Sequence, residues 1–216
     1  MSATRLETGP DPCSHSQMSG AETTLTRIRD ATRVRHERLE ARIDLVGRLT
    51  DVAAYRQQLA AMYGFYEPFE ARLAALDWRD CAIDFGARRK SAALRADLAF
   101  LGYDGPALGH LERIADSALP APASAPAAIG CLYVLEGATL GGTIIARHVR
   151  RTLPPLAHGA LAFYDGYGGR TGLMWRSFRE ALASLCDDDE PAGEEAALAA
   201  CATFDGLERW LERKLA

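Results

Sequence analysis

The sequence predicts an all-α protein, a single-domain bundle of roughly seven or eight helices, on three observations. Apolar residues recur at three- and four-residue spacing along most of the chain. Period-2 alternation of β-branched residues between turns does not occur, and Gly/Pro clusters separate the periodic segments. With 216 residues, 48% hydrophobic and 25% charged, the chain is long enough for one sizeable core. A net charge of -4 argues against a general nucleic-acid binder, which carries a basic surplus or stripe. The five cysteines, Cys13, Cys81, Cys131, Cys186 and Cys201, are widely spaced and form no C-x-x-C pair, which points to a reducing cytoplasm.

Residues 1–22 lack the apolar run of a secretory signal and have the composition of a disordered tail, so the helical domain is assigned to 23–216. Thr23 or Thr24 caps a first helix with Leu25, Ile28, Thr32, Arg35, Leu39 and Ile43 on successive turns, and Gly47 is its expected stop. A second amphipathic stretch runs from Asp51 to Leu76, where Pro68 is expected to kink or divide it. A loop with Trp78 and Gly86 leads to a short helix over 91–100, and Gly105-Pro106 opens another that ends near Ala118. LPAPASAP (119–126) is a connector before a long apolar helix that Pro154 and Pro155 end. GALAFYDGYGGRTG reads as a loop, a helix follows from Leu173 to CDDDEPAG, and the last runs from Glu194 to Leu215.

The long apolar helix contains AAIGCLYVLEGATLGGTIIA (127–146), the right length for a membrane span, with Glu136 as its only charge. A central acid costs about 2.5–3.5 kcal/mol on insertion, and glycine and threonine add little apolar drive, so a buried central helix is expected. Within it LEGATLGG carries Gly137, Gly141 and Gly142, which together cost roughly 2–3 kcal/mol relative to alanine. Gly137 and Gly141 lie one turn apart on one face, where missing side chains admit either a flat ligand or a neighbouring helix; Gly130 and Ala138 would serve the second purpose equally well.

Of the five histidines, His36 stands out. It ends RIRDATRVRH, with Arg29 two turns and Arg33 one turn before it, so one face presents an imidazole and two cations. A partly exposed helix histidine with solvated arginines accounts for the same residues. One histidine does not hold bare zinc, which takes three or more protein ligands, but it holds an iron whose equatorial positions a porphyrin fills.

ATRVRH, followed by LYVLEGATLGG and then by AFYDGYGGRTGLMWRSF, resembles the haem oxygenase family, specifically its bacterial branch found beside bacteriophytochromes. The resemblance covers nearly the whole chain after residue 22. It implies a haem-oxygenase-like helical bundle with His36 as proximal iron ligand and with Arg29, Arg33 and Arg179 as propionate partners. Gly137 and Gly141 would be the distal glycines over the iron, with Thr32, Ala138, Leu140 and Gly142 beside the haem. The implied reaction uses haem as cofactor and substrate and consumes O2. It yields biliverdin, CO and ferrous iron, with electrons from a ferredoxin or flavin reductase and a bacteriophytochrome as acceptor of the biliverdin. Many relatives place an aspartate where this chain has Ala138; Glu136 and Thr139 are polar neighbours on other faces.

Two alternatives stay open at this level: a non-catalytic haem-binding or haem-trafficking protein of the same fold, and a helical enzyme with Cys131 as nucleophile. Aromatics such as Tyr133, Tyr167 and Trp175 read as core, and only Phe204, in the last helix, is added as a pocket residue.

Overall fold

The computed structural model describes residues 23–215, and all regular structure among them is helical. The eight α-helices are α1 (Thr24–Ile43), α2 (Val52–Ala74), α3 (Ser91–Phe100), α4 (Gly105–His110), α5 (Ala125–Thr152), α6 (Ala162–Asp165), α7 (Thr171–Cys186) and α8 (Glu190–Leu215). The tail predicted for 1–22 lies outside the described residues.

Local chemistry explains the helix starts. Thr23 accepts the Thr26 amide at the head of α1, Asp51 accepts the Ala54 amide at α2, and Ser124 accepts the Ala127 amide at α5, with Pro126 in the first turn. Several ends differ from expectation. Helix α1 stops at Asp44, which takes the left-handed conformation (φ 41°) and accepts the Gly47 amide with its side chain, so Gly47 is not the stop. Helix α4 ends at His110 because Leu111 is extended. The glycine-rich loop contains the short α6, and α8 begins four residues before the expected Glu194. Pro191 sits within the first turn, and Asp189 accepts the Ala192 amide.

Pro68 does not divide α2. A proline cannot donate to the carbonyl four residues earlier, here that of Gly64, and the loss would ordinarily kink or break the helix. The Ile114 amide supplies the bond instead, at 2.9 Å.

Helix α5 is the centre of the bundle, packed on α8, α7 and α6. It is the one described helix long and apolar enough to cross a membrane, and 61% of that apolar window is buried inside the chain. Helix α1 lies along α8 in parallel. Arg35 Nε meets Asp205 at 3.0 Å, Arg38 Nε meets Glu208 at 2.6 Å and Arg42 Nη1 meets Glu212 at 2.6 Å, each pair separated by the same 170 residues. This fixed register sets the rotation of α1, and so the direction in which His36 points.

Candidate functional site

Helices α1 and α5 both rest on α8 and α7, and they meet through Tyr133 and Thr32. Burial raises the Tyr133 hydroxyl above its usual range, while its hydrogen bond with Thr32 and the nearby Arg29 act the other way. One turn beyond Thr32 on α1 is His36; one turn beyond Tyr133 on α5 is Gly137. His36 and Gly137 therefore each lie within one helical turn of this contact.

The His36 side chain is 56% exposed, with Nδ1 3.6 Å from Glu40. Its ring stands edge-on to Phe204 of α8, 5.8 Å between centroids, which holds the imidazole upright without burying it. On the other side, a Cβ added at Gly137 or Gly141 would meet nothing within 4 Å. Leu140 and Ile144 lie beside them, 40% and 58% exposed. This is an apolar face left open on the central helix of the bundle. One turn before Gly137, Tyr133 clusters with Trp175 and Phe178 of α7, the last two stacked at 5.3 Å.

Arg29 and Arg33 are exposed and, among the described residues, pair with Asp30 and Glu37 at 3.3 Å each. Such exposed pairs are worth about 0–1 kcal/mol, so both guanidiniums are available to an anionic ligand. Arg179 is exposed on α7, and Ala138 is exposed on α5. Thr32 is buried and donates to the Ile28 carbonyl at 2.7 Å, so it shapes the contact with α5. Gly142 differs from the other site glycines. Its Cβ would lie 3.0 Å from the Tyr164 carbonyl oxygen, so it packs against α6 and is not part of the open face.

Neither polar neighbour of Ala138 reaches that face. Glu136 has no solvent exposure and is held by Arg88, and Thr139 donates to the Glu136 carbonyl. Cys131 is fully buried, and burial pushes its thiol up to about 11, which leaves it an inert packing group. Among the described residues no group of three or more His, Cys, Asp or Glu is placed to hold a metal ion. The cavity beside the stacked Trp78 and Phe85, about 600 Å³, contains none of the predicted site residues.

Sequence reasoning missed two features. Tyr133 lies on the face of Gly137 one turn earlier, a spacing that would have identified it. Arg88, Lys90 and Tyr167 come from segments that nothing local links to α5.

A haem fits what is present. A single histidine projects from one helix, a glycine face lies open on another, apolar side chains line that face, and two solvent-exposed cations share the histidine's helix. Residues 22–213 match the family described as Heme oxygenase. A protein named Heme oxygenase from Xanthomonas campestris pv. campestris (strain 8004) is 37% identical over 135 residues, which cover 61% of this chain and 73% of that protein. The fold is that of the heme oxygenase from Leptospira interrogans (TM-score 0.73, 19% identity, 88% of this chain and 99% of that one). It is equally that of heme oxygenase-1 from the cyanobacterium Synechocystis sp. PCC6803, solved in complex with heme (TM-score 0.72, 19% identity, 88% and 91%). The chain belongs to the haem oxygenase family.

Proposed function

We propose that this chain degrades haem at the face between His36 and Gly137, with His36 as the iron ligand. One observation carries the reading: the central helix leaves Gly137 and Gly141 open, within two turns of its contact with the helix that bears His36. When bound, haem supplies the iron that activates O2 and is itself the macrocycle that is opened to biliverdin, CO and ferrous iron.

The side chains act around it. Phe204 orients the imidazole, Arg29 and Arg33 attract the propionates from solvent, and Arg179 extends that positive edge from α7. Leu140 and Ile144 exclude water from the apolar ring, while Gly137 and Gly141 keep the space over the iron free of side chains. No carboxylate of α5 faces that space, because Ala138 carries none and Glu136 is buried behind it. Protons for the reaction then arrive through solvent, not through an acid on this helix.

The electrons come from a ferredoxin or flavin reductase, and a bacteriophytochrome is the acceptor of the biliverdin, with all three proteins in the cytoplasm. Anaerobic haem titration followed by reductant in air tests the reading. Bleaching of the Soret band into a bilin spectrum with CO release is expected; a stable oxygenated complex would establish a non-catalytic haem binder instead. His36→Ala is expected to remove the histidine-ligated spectrum and turnover together, and an unchanged spectrum would move the ligand to another histidine.

A further inference from the structure

Directly behind the open face, four charged side chains are buried together: Glu70, Arg88, Lys90 and Glu136. Glu136, the residue before Gly137, is at their centre. Its Oε2 accepts from Arg88 Nη1 at 2.8 Å, its Oε1 accepts from the Tyr167 hydroxyl, and Lys90 Nζ lies 3.5 Å from Oε1. Each partner is itself anchored. Arg88 Nη2 donates to Ser177 Oγ of α7 at 2.8 Å, and Lys90 Nζ donates to the Arg88 carbonyl at 2.6 Å and to the Tyr167 hydroxyl. Glu70 of α2 accepts the Lys90 and Ser91 amides. Arg89, partly exposed, adds its Nε 3.7 Å from the Glu70 carboxylate.

We propose that this cluster is the positioning device of the glycine face, and that Glu136 fixes the rotation of α5 about its axis and hence where Gly137 and Gly141 stand relative to His36. No atom stands within 4 Å of where a Cβ would be at Gly137 or Gly141, and three glycines within six residues soften the helix there. Orientation must be imposed from the back. A buried ion pair adds little net stability, but any rotation of α5 would strip two buried cations of their carboxylate, so alternative orientations are strongly disfavoured. The three groups that hold Glu136 come from the segment before α3 and from the glycine-rich loop, with α7 bracing Arg88. The carboxylate is therefore fixed from several directions.

The proposal rests on the functional reading above only for its effect on haem. Glu136→Gln keeps the shape and removes the charge. In the haem-free protein we expect amide exchange over residues 134–142 to accelerate roughly tenfold relative to the cores of α2 and α8. In the ferric haem complex, imidazole affinity is expected to change about tenfold while haem affinity stays within about threefold. Tyr167→Phe, which removes one bond to the same carboxylate, is expected to move both quantities the same way by less, and it decides the matter if Glu136→Gln does not fold. Acceleration spread evenly over the molecule, no acceleration, or unchanged imidazole affinity overturns the proposal. A parent protein that binds no haem overturns only the functional reading, since the exchange measurement needs none.

Discussion

A Cβ on Gly130 would lie 2.1 Å from the Ala196 carbonyl oxygen of α8, whereas one on Gly137 or Gly141 would meet nothing within 4 Å, although all three glycines belong to α5. The first half of the helix uses glycine for close approach of two backbones. The second half uses it to leave space that the protein does not fill. Gly142 stands with the first group, 3.0 Å from Tyr164, one residue after Gly141. Glycine content alone therefore says nothing about a ligand; the neighbour of the missing side chain does.

The sharpest test of this contrast is Gly130→Ala, expected to destabilise the protein by roughly 3 kcal/mol in urea unfolding because helix backbones, not flexible side chains, must separate. If Gly130→Ala unfolds like the parent, the two halves of α5 do not differ. Next in size, Gly137→Leu or Gly141→Leu is expected to leave urea stability within about 1 kcal/mol while blocking ligand access to bound haem, read by loss of imidazole binding. Free access in both variants would remove the open face from the site.

The charged back face should show itself through pH. Burial lowers the Lys90 pKa below its ordinary 10.5, against the pull of Glu136 and Glu70. Between the lowered value and 10.5 the unfolded chain holds a proton that the folded chain has released, so this group makes stability rise with pH in that window, by at most about 1.4 kcal/mol per pH unit. The rise is expected in the parent minus Lys90→Met difference curve, and a flat difference would show that Lys90 is not desolvated. The smallest effect is expected for Gly137→Ala, a gain of about 0.5–1 kcal/mol from helix propensity alone. A loss of stability would mean that the space over Gly137 is already occupied by protein.

Features that depend on adjacent residues were legible in the sequence. The cap at Thr23, the order of the helices and the placing of Gly137 and Gly141 one turn apart on one face all follow from spacing on a single segment. Features that need a partner far along the chain were not. Pro68 reads as a break until the Ile114 amide is seen on the Gly64 carbonyl, and Asp44 reads as an ordinary residue until its side chain takes the Gly47 amide. Glu136 was visible as the only charge in twenty apolar residues, but its burial among Arg88, Lys90 and Tyr167 is a product of tertiary packing. Gly142 was grouped with its neighbour by sequence, though helix geometry turns it toward α6.

The parallel pairing of α1 with α8 has a consequence for synthesis. Helix α1 leaves the ribosome well before α8, and the acids that receive its arginines, Asp205, Glu208 and Glu212, follow 170 residues later. Phe204, which steadies His36, belongs to the same late helix. The histidine side of the site is thus closed by one of the longest sequence separations in the described chain, and contacts of that kind form late. The nascent protein carries its histidine long before it can orient it.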